Sequence, residues 1–231
     1  MEGFGPRIIF SIGQIDVPET VVITWIIMAV LIGFSILVTR NFEKIPKGVQ
    51  NVVEALVETL NNFVNQTMGE DKKVFAPYMG TIFIFLVVAN LIGFLGLRPP
   101  TADVNTTFAL SILTFVIIHY NSIKSSGIIS YFKGYFEPFP FLFPINVLGD
   151  LATPISLGFR LFGNIVGGVI IMSLMYGALA SFSAMIGLNS IPIFQLAIPV
   201  VFHLYFDMFS GVLQSFIFVM LSMVFISNAM D

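Results

Sequence analysis

Cysteine is absent from the 231 residues. That excludes disulfides, thiolate metal sites and cysteine nucleophiles, and leaves the redox compartment unreadable. Histidine occurs only at His119 and His203, too sparse for a histidine-rich metal site. Charge is also scarce: 10% of residues are charged, against roughly a quarter in a soluble domain. A net charge of −3 is too small to imply nucleic acid or an acidic partner. There is no P-loop, nucleophile elbow or zinc-type HExxH, so no ATP-hydrolysing site is expected. A basic leader is missing too, because the first apolar run follows Asp16, Pro18 and Glu19, which argues against a cleavable signal peptide. No internal repeat or low-complexity tract stands out. What fills the chain instead is 57% hydrophobic residues, with a mean hydropathy of +0.96. A surface so poor in charge faces lipid or other apolar protein, so this is an integral membrane protein.

The apolar runs predict an all-α membrane fold of five transmembrane helices plus one interfacial helix. After an outer segment, 1–19, a first span covers 20–39, about the length that crosses a hydrocarbon core of ~30 Å. Arg40, Lys44 and Lys47 follow it while Asp16 and Glu19 precede it, so the positive-inside rule puts the N-terminus outside. In 48–68, Val49, Val52, Val53, Leu56, Val57, Leu60 and Val64 recur at helical intervals, with Glu54, Glu58, Asn61, Asn62 and Asn65 opposite. That pattern reads as an amphipathic helix at the cytoplasmic surface or against a partner. Lys72 and Lys73 keep the next edge cytoplasmic. A second span covers 74–97 and ends outside at Arg98. A third, 102–122, returns inward towards Lys124 and Lys133, and the Gly-, Pro- and aromatic-rich linker after Ser125 reads as interfacial. The last two segments, 144–186 and 191–228, would each be ~55–65 Å long as helices, about twice the core. Steep tilt as an antiparallel hairpin turning at Gly187–Ser190 accounts for both, with Pro154 and Pro199 as places to bend. Five crossings then leave Asp231 in the cytoplasm.

Between Ala152 and Phe206 the only formally charged side chain is Arg160. Arginine does not shed its proton, so placing it at membrane depth carries a standing cost and marks a functional candidate. Ser156, Arg160, Asn164, Gly167 and Gly168 lie three or four residues apart, giving one face a cation, an amide and small residues that admit a close neighbour. The bland alternative is an arginine near a helix end that snorkels to the interface. On the last segment His203, Asp207, Ser210 and Gln214 fall at i, i+4, i+7 and i+11, beside Gly211. Two exchangeable protons and two groups able to hold water or a cation are the chemistry of an aqueous half-channel; the competing reading is a polar seam joining two helices. Asp103 and Asn105 line an outer vestibule or cap a helix. Asp150 lines a cytoplasmic exit or is an ordinary interfacial carboxylate. Asn90 and His119 read as packing or interfacial groups.

These residues carry a family resemblance. Pro154-Ile-Ser-Leu-Gly-Phe-Arg-Leu-Phe-Gly-Asn164 resembles the signature of subunit a of the bacterial F-type ATP synthase membrane sector. Pro100-Thr-Ala-Asp-Val-Asn-Thr-Thr107, Phe143-Pro-Ile-Asn146 and Leu213-Gln-Ser-Phe-Ile-Phe-Val-Met-Leu221 resemble the starts or cores of its other helices. The resemblance implies a stator beside a rotating c-subunit ring, with a b-subunit stalk, in a bacterial inner membrane. Arg160 would face the ring carboxylates, Asn164 would support that contact, and Gln214 would sit opposite the arginine. Asp207 would hold the half-channel position on the last helix, with His203, Ser210, Asp103, Asn105 and Asp150 along the ion paths. No cofactor is implied, and no metal beyond a transient Na⁺. One departure stands out: nine positions after the arginine, where many relatives carry Glu or His, this chain has Val169. That weakens a simple proton relay and leaves H⁺ and Na⁺ both open. The other classes weighed are a self-contained secondary transporter, disfavoured by the lack of repeated halves, and a membrane scaffold, disfavoured by the arginine and the polar stripe.

Overall fold

A computed structural model of the chain describes residues 7–186 and 193–230. The turn expected at Gly187–Ser190, the expected start at Ile191, the first six residues and Asp231 lie outside the described residues. The order is a short hairpin of β1 (Ile8–Ile12) and β2 (Ile15–Pro18), then α1 (Glu19–Thr39), α2 (Val49–Met68), a 3₁₀ segment (Glu70–Phe75), α3 (Ala76–Leu91) and α4 (Val104–Ser126). There follow α5 (Ile128–Gly134), α6 (Phe143–Met185), α7 (Ile193–His203), a π-helical turn (Leu204–Phe209) and α8 (Ser210–Asn228). Among the described residues, five helical stretches are long and apolar enough to cross a membrane, so the all-α membrane architecture holds. The hairpin was not anticipated: its two short strands turn at Gly13, whose φ is +66°, and give too few alternating positions to stand out from an apolar run.

Each helix buries the face its sequence provides. In α1 only Thr20, Ile23 and Ile27 are buried, the two isoleucines packing against Ala89 of α3, while Trp25, Val30 and Leu37 point outward. In α2, Val64 and Met68 join the core, but Val49, Val52, Leu56 and Val57 remain exposed on the same apolar stripe, which suits a lipid surface. Gly69 ends it at φ +94°, a conformation that a side chain resists. Lys72 is buried, and its Nζ donates to Ser227 Oγ at 2.9 Å, tying this turn to the end of α8.

The larger of two buried clusters is drawn from α2, α3, α6 and α8, including Met79, Leu86, Leu157, Leu161, Phe218, Met223 and Ile226. The second span is less regular than expected, changing to a 3₁₀ turn at Ile92–Leu95 and stopping at Gly96 with φ +72°. Against α4, α6 comes close at Gly158, where a Cβ would lie 3.1 Å from both Phe108 and Ser111 Oγ. The 43 residues of α6 run on past Pro154, about 65 Å at 1.5 Å per residue. The last two helices are antiparallel: Tyr176 of α6 meets Gln195 and His203, whereas Asn164 meets Ser210 and Gln214. The expected linker after Ser125 contains α5, folded back beside α4 and α6.

Candidate ion-translocation site

The site begins with the two faces of α6. Leu157, Gly158, Leu161, Ile165, Gly168 and Met172 are buried against the rest of the chain. The opposite face exposes Ser156, Phe159, Arg160 and Gly163. Gly163 and Gly167 have nothing within 4 Å of where a Cβ would stand, so this face is shallow and open. Among the described residues the Arg160 guanidinium makes no hydrogen bond or ion pair. Five donors in a planar fork are therefore presented outward.

One turn beyond Arg160 the chain turns from open to bonded. Ser210 Oγ donates to Asn164 Oδ1 at 3.1 Å, and Asn164 Nδ2 reaches Gln214 Oε1 at 3.4 Å. Gln214 is 4% exposed, and its Nε2 is buried without a partner among the described residues. Gln214, expected opposite the arginine, bonds Asn164, on the turn next to Arg160. An unsatisfied buried amide donor costs about 1–3 kcal/mol, a cost that a water or a passing ligand oxygen would offset.

Further along, His203 Nδ1 and Asp207 Oδ2 are 2.5 Å apart, and Tyr176 Oη contacts His203 Nε2 at 3.0 Å. Gln195 Nε2 donates to the Tyr176 carbonyl at 2.8 Å. Asp207 lies inside the π-helical turn, a feature that recurs at functional sites. Gly168 admits Phe206 here, with 3.5 Å from a notional Cβ to Phe206 Cβ. The stripe His203, Asp207, Ser210 and Gln214 is therefore brought together along α6, with three of its members bonded to side chains of that helix.

The remaining candidates sit elsewhere. Asp103 caps α4, accepting from Asn105 N at 2.9 Å, while its other oxygen accepts from Thr20 Oγ1 at 2.8 Å. It thus joins the starts of α1 and α4, and the Asn105 side chain is exposed beside it. Asp150 accepts a hydrogen bond from Tyr135 and lines a cavity of about 810 Å³ between α4, α5 and α6. Burial first, and then the bond donated to Asp150, push the Tyr135 phenol upward, so it stays a donor. Asn90 is a packing group: its Nδ2 donates to Gly211 O at 3.0 Å and Ser215 Oγ at 2.9 Å, and its Oδ1 accepts from Thr101. Sequence reasoning missed Tyr176, Tyr131 and Tyr135. The i, i+4 spacing of the last two was a signal, but aromatic residues in an aromatic-rich linker hide it.

Membrane-length helices that carry a polar seam and an outward arginine place the chain among multi-pass membrane proteins of the ion-moving class. The model of the family described as ATP synthase A chain matches residues 21–227. A sodium-ion-specific ATP synthase subunit a from Propionigenium modestum is 37% identical over 226 residues, covering 91% of this chain and 73% of the relative. ATP synthase subunit a from Moorella thermoacetica is 34% identical over 224 residues, covering 96% and 95%. Another, from Syntrophotalea carbinolica, is 36% identical over 213 residues, covering 90% and 84%. The chain belongs to the ATP synthase A chain family. It is accordingly a stator subunit that carries ions and works with the rest of an ATP synthase.

Proposed function

We propose that this subunit carries H⁺ through two offset half-channels to and from a c-subunit ring, with Arg160 as the group that separates them. The observation that carries this reading is Arg160 itself: a permanent cation without a partner among the described residues, on a face of small residues, one turn from a bonded polar seam. An ion enters from outside near Asp103 and Asn105, follows His203, Asp207, Ser210 and Gln214, and neutralises a ring carboxylate. The neutral site tolerates lipid, so the ring turns before releasing its ion beside Asp150. Arg160 attracts the emptied carboxylate and lowers its pKa, favouring release, while it repels a cation leaking between the half-channels. Asn164 holds the neighbouring turn in place. Each charge moved through 100 mV supplies ~2.3 kcal/mol, which rotation accumulates for ATP synthesis elsewhere. A b-subunit stalk holds the stator, the N-terminus lies outside a bacterial plasma membrane and the C-terminus in the cytoplasm.

Sodium is the second reading, favoured by two observations. Val169 stands where a titratable group would complete a relay, and a relative 37% identical is named as sodium ion specific. ATP-driven pumping by the reconstituted holoenzyme tests both, comparing wild type with Arg160→Ala in H⁺ and Na⁺ media. Loss of coupled pumping in the variant supports the arginine's role, and the ion dependence of wild type names the cargo. Normal pumping by the variant would make Arg160 an interfacial residue only.

A further inference from the structure

A second polar constellation lies away from the Arg160 seam, where α4, α5 and α6 meet. His119 Nδ1 and Tyr131 Oη are 2.8 Å apart, Tyr131 Oη and Tyr135 Oη are 2.5 Å apart, and Tyr135 Oη donates to Asp150 Oδ2. The direction of the chain follows from counting protons. Tyr135 has one hydroxyl hydrogen and gives it to the carboxylate, so Tyr131 must donate to Tyr135. Tyr131 has then spent its own hydrogen, so His119 Nδ1 must carry a proton and donate to Tyr131. The other ring nitrogen, Nε2, is buried and has no partner among the described residues. Edge-on contacts of His119 with Phe115 and Tyr131, and of Tyr131 with Tyr135, hold the rings in place.

This chain of groups borders an open cavity. Tyr131, Tyr135 and Asp150 form part of the wall of the 810 Å³ cavity, together with Ser122 and Ser126. Those serines follow His119 at i+3 and i+7, so all three share one face of α4. The other ionisable group on the cavity wall is Glu137. Asp150 precedes Arg160 by ten positions on the same helix, about 15 Å.

We propose that His119, Tyr131, Tyr135 and Asp150 form a proton relay at the mouth of the half-channel; this rests on the H⁺ reading above. The relay has two states containing the same number of protons. In one, His119 is an imidazolium and Asp150 a carboxylate, with every bond pointing from His119 to Asp150. In the other, Nδ1 has given its proton to Tyr131, Tyr131 has given its own to Tyr135, and Tyr135 has given its own to Asp150. His119 is then neutral with its proton on Nε2, Asp150 is a carboxylic acid, and all the bonds are reversed. No other reactant is needed. A proton arriving at the cavity is thus shared across three helices, and Na⁺ has no use for such a path.

The test is ATP-driven H⁺ pumping by the holoenzyme in liposomes, for wild type, Tyr131→Phe, Tyr135→Phe, the double variant and Asp150→Asn. Phenylalanine keeps the ring contacts, and asparagine keeps an acceptor for Tyr135 while removing the proton site. The expected result is a several-fold loss of pumping rate per assembled complex in each variant, with the double variant no worse than either single one, because one break opens a series path. Tyr120→Phe, an exposed neighbour on α4, should pump as wild type. Wild-type pumping by Asp150→Asn or by both tyrosine variants would overturn the relay. So would losses that add in the double variant, which would mark a packing role. Transport of Na⁺ alone by wild type would also overturn it. Arg160→Ala runs alongside: if it loses coupling while the relay variants do not, the relay fails and the stator reading stands; if it pumps normally, the stator reading itself fails.

Discussion

Asn90 and Arg160 are both polar groups in spanning helices, and the chain treats them oppositely. Asn90 is 2% exposed and has both ends of its amide engaged, with Gly211 so close that a Cβ there would lie 3.0 Å from Asn90 Cβ. Arg160 points away from its own protein and bonds to none of the described residues. Buried polar groups that are satisfied internally fix one packing arrangement. A charge left open at membrane depth is instead a demand on whatever lies alongside. The difference separates the part of the molecule that holds itself together from the part that, on the function proposed above, a neighbour completes.

The sharpest break of this contrast is Arg160→Ala, which should abolish ATP-driven pumping without lowering the amount of assembled subunit, measured by vesicle acidification and complex yield. Arg160→Lys should recover only part of the activity, since the charge persists but the planar fork is gone. Asn90→Leu should do the reverse. It leaves Thr101 Oγ1 without its acceptor, while Gly211 O keeps the bond from Ser215 Oγ, and should cost about 1–3 kcal/mol, read as a lower unfolding temperature of the purified complex, with pumping per surviving complex retained. A glycine pair sharpens the same line. Gly158→Val overlaps Phe108 and Ser111 and should cost about 1–3 kcal/mol, whereas Gly163→Val meets open space and should leave stability alone while slowing turnover. Smallest of all, Tyr176→Phe removes one hydrogen bond to His203. It should cost about 1 kcal/mol in the same melting assay and reduce pumping modestly.

Much of the framework was legible because lipid imposes simple rules. Charge scarcity and run length gave the spanning helices, and the alternation of valines with Glu54, Glu58 and Asn61 gave α2. Arg160 declared itself by being alone. Helical spacing also brought His203, Asp207, Ser210 and Gln214 to the side that faces α6. What the pattern did not disclose was pairing. Asp103 reads in one dimension as a vestibule carboxylate or a helix cap, but its bond from Thr20, 83 residues away, shows only in three. Lys72 looks like a surface anchor until Ser227, 155 residues later, is found against it. His119 reads as an interfacial histidine until α5 folds back and sets Tyr131 beside it. Such partners are chosen by tertiary contact, for which a single sequence carries no local signal.

The π-helical turn at Leu204–Phe209 has a consequence for how this chain tolerates change in length. One residue more than an α-helix requires amounts to about 100° of rotation about the helix axis. Residues before and after the turn are therefore keyed to one another by an insertion, with His203 aimed at Tyr176 and Ser210 aimed at Asn164. Deleting a single residue within 204–209 would leave every side chain outside that stretch chemically intact. It would nevertheless turn α7 and α8 out of their mutual alignment, so that chain length here carries information that residue identity does not.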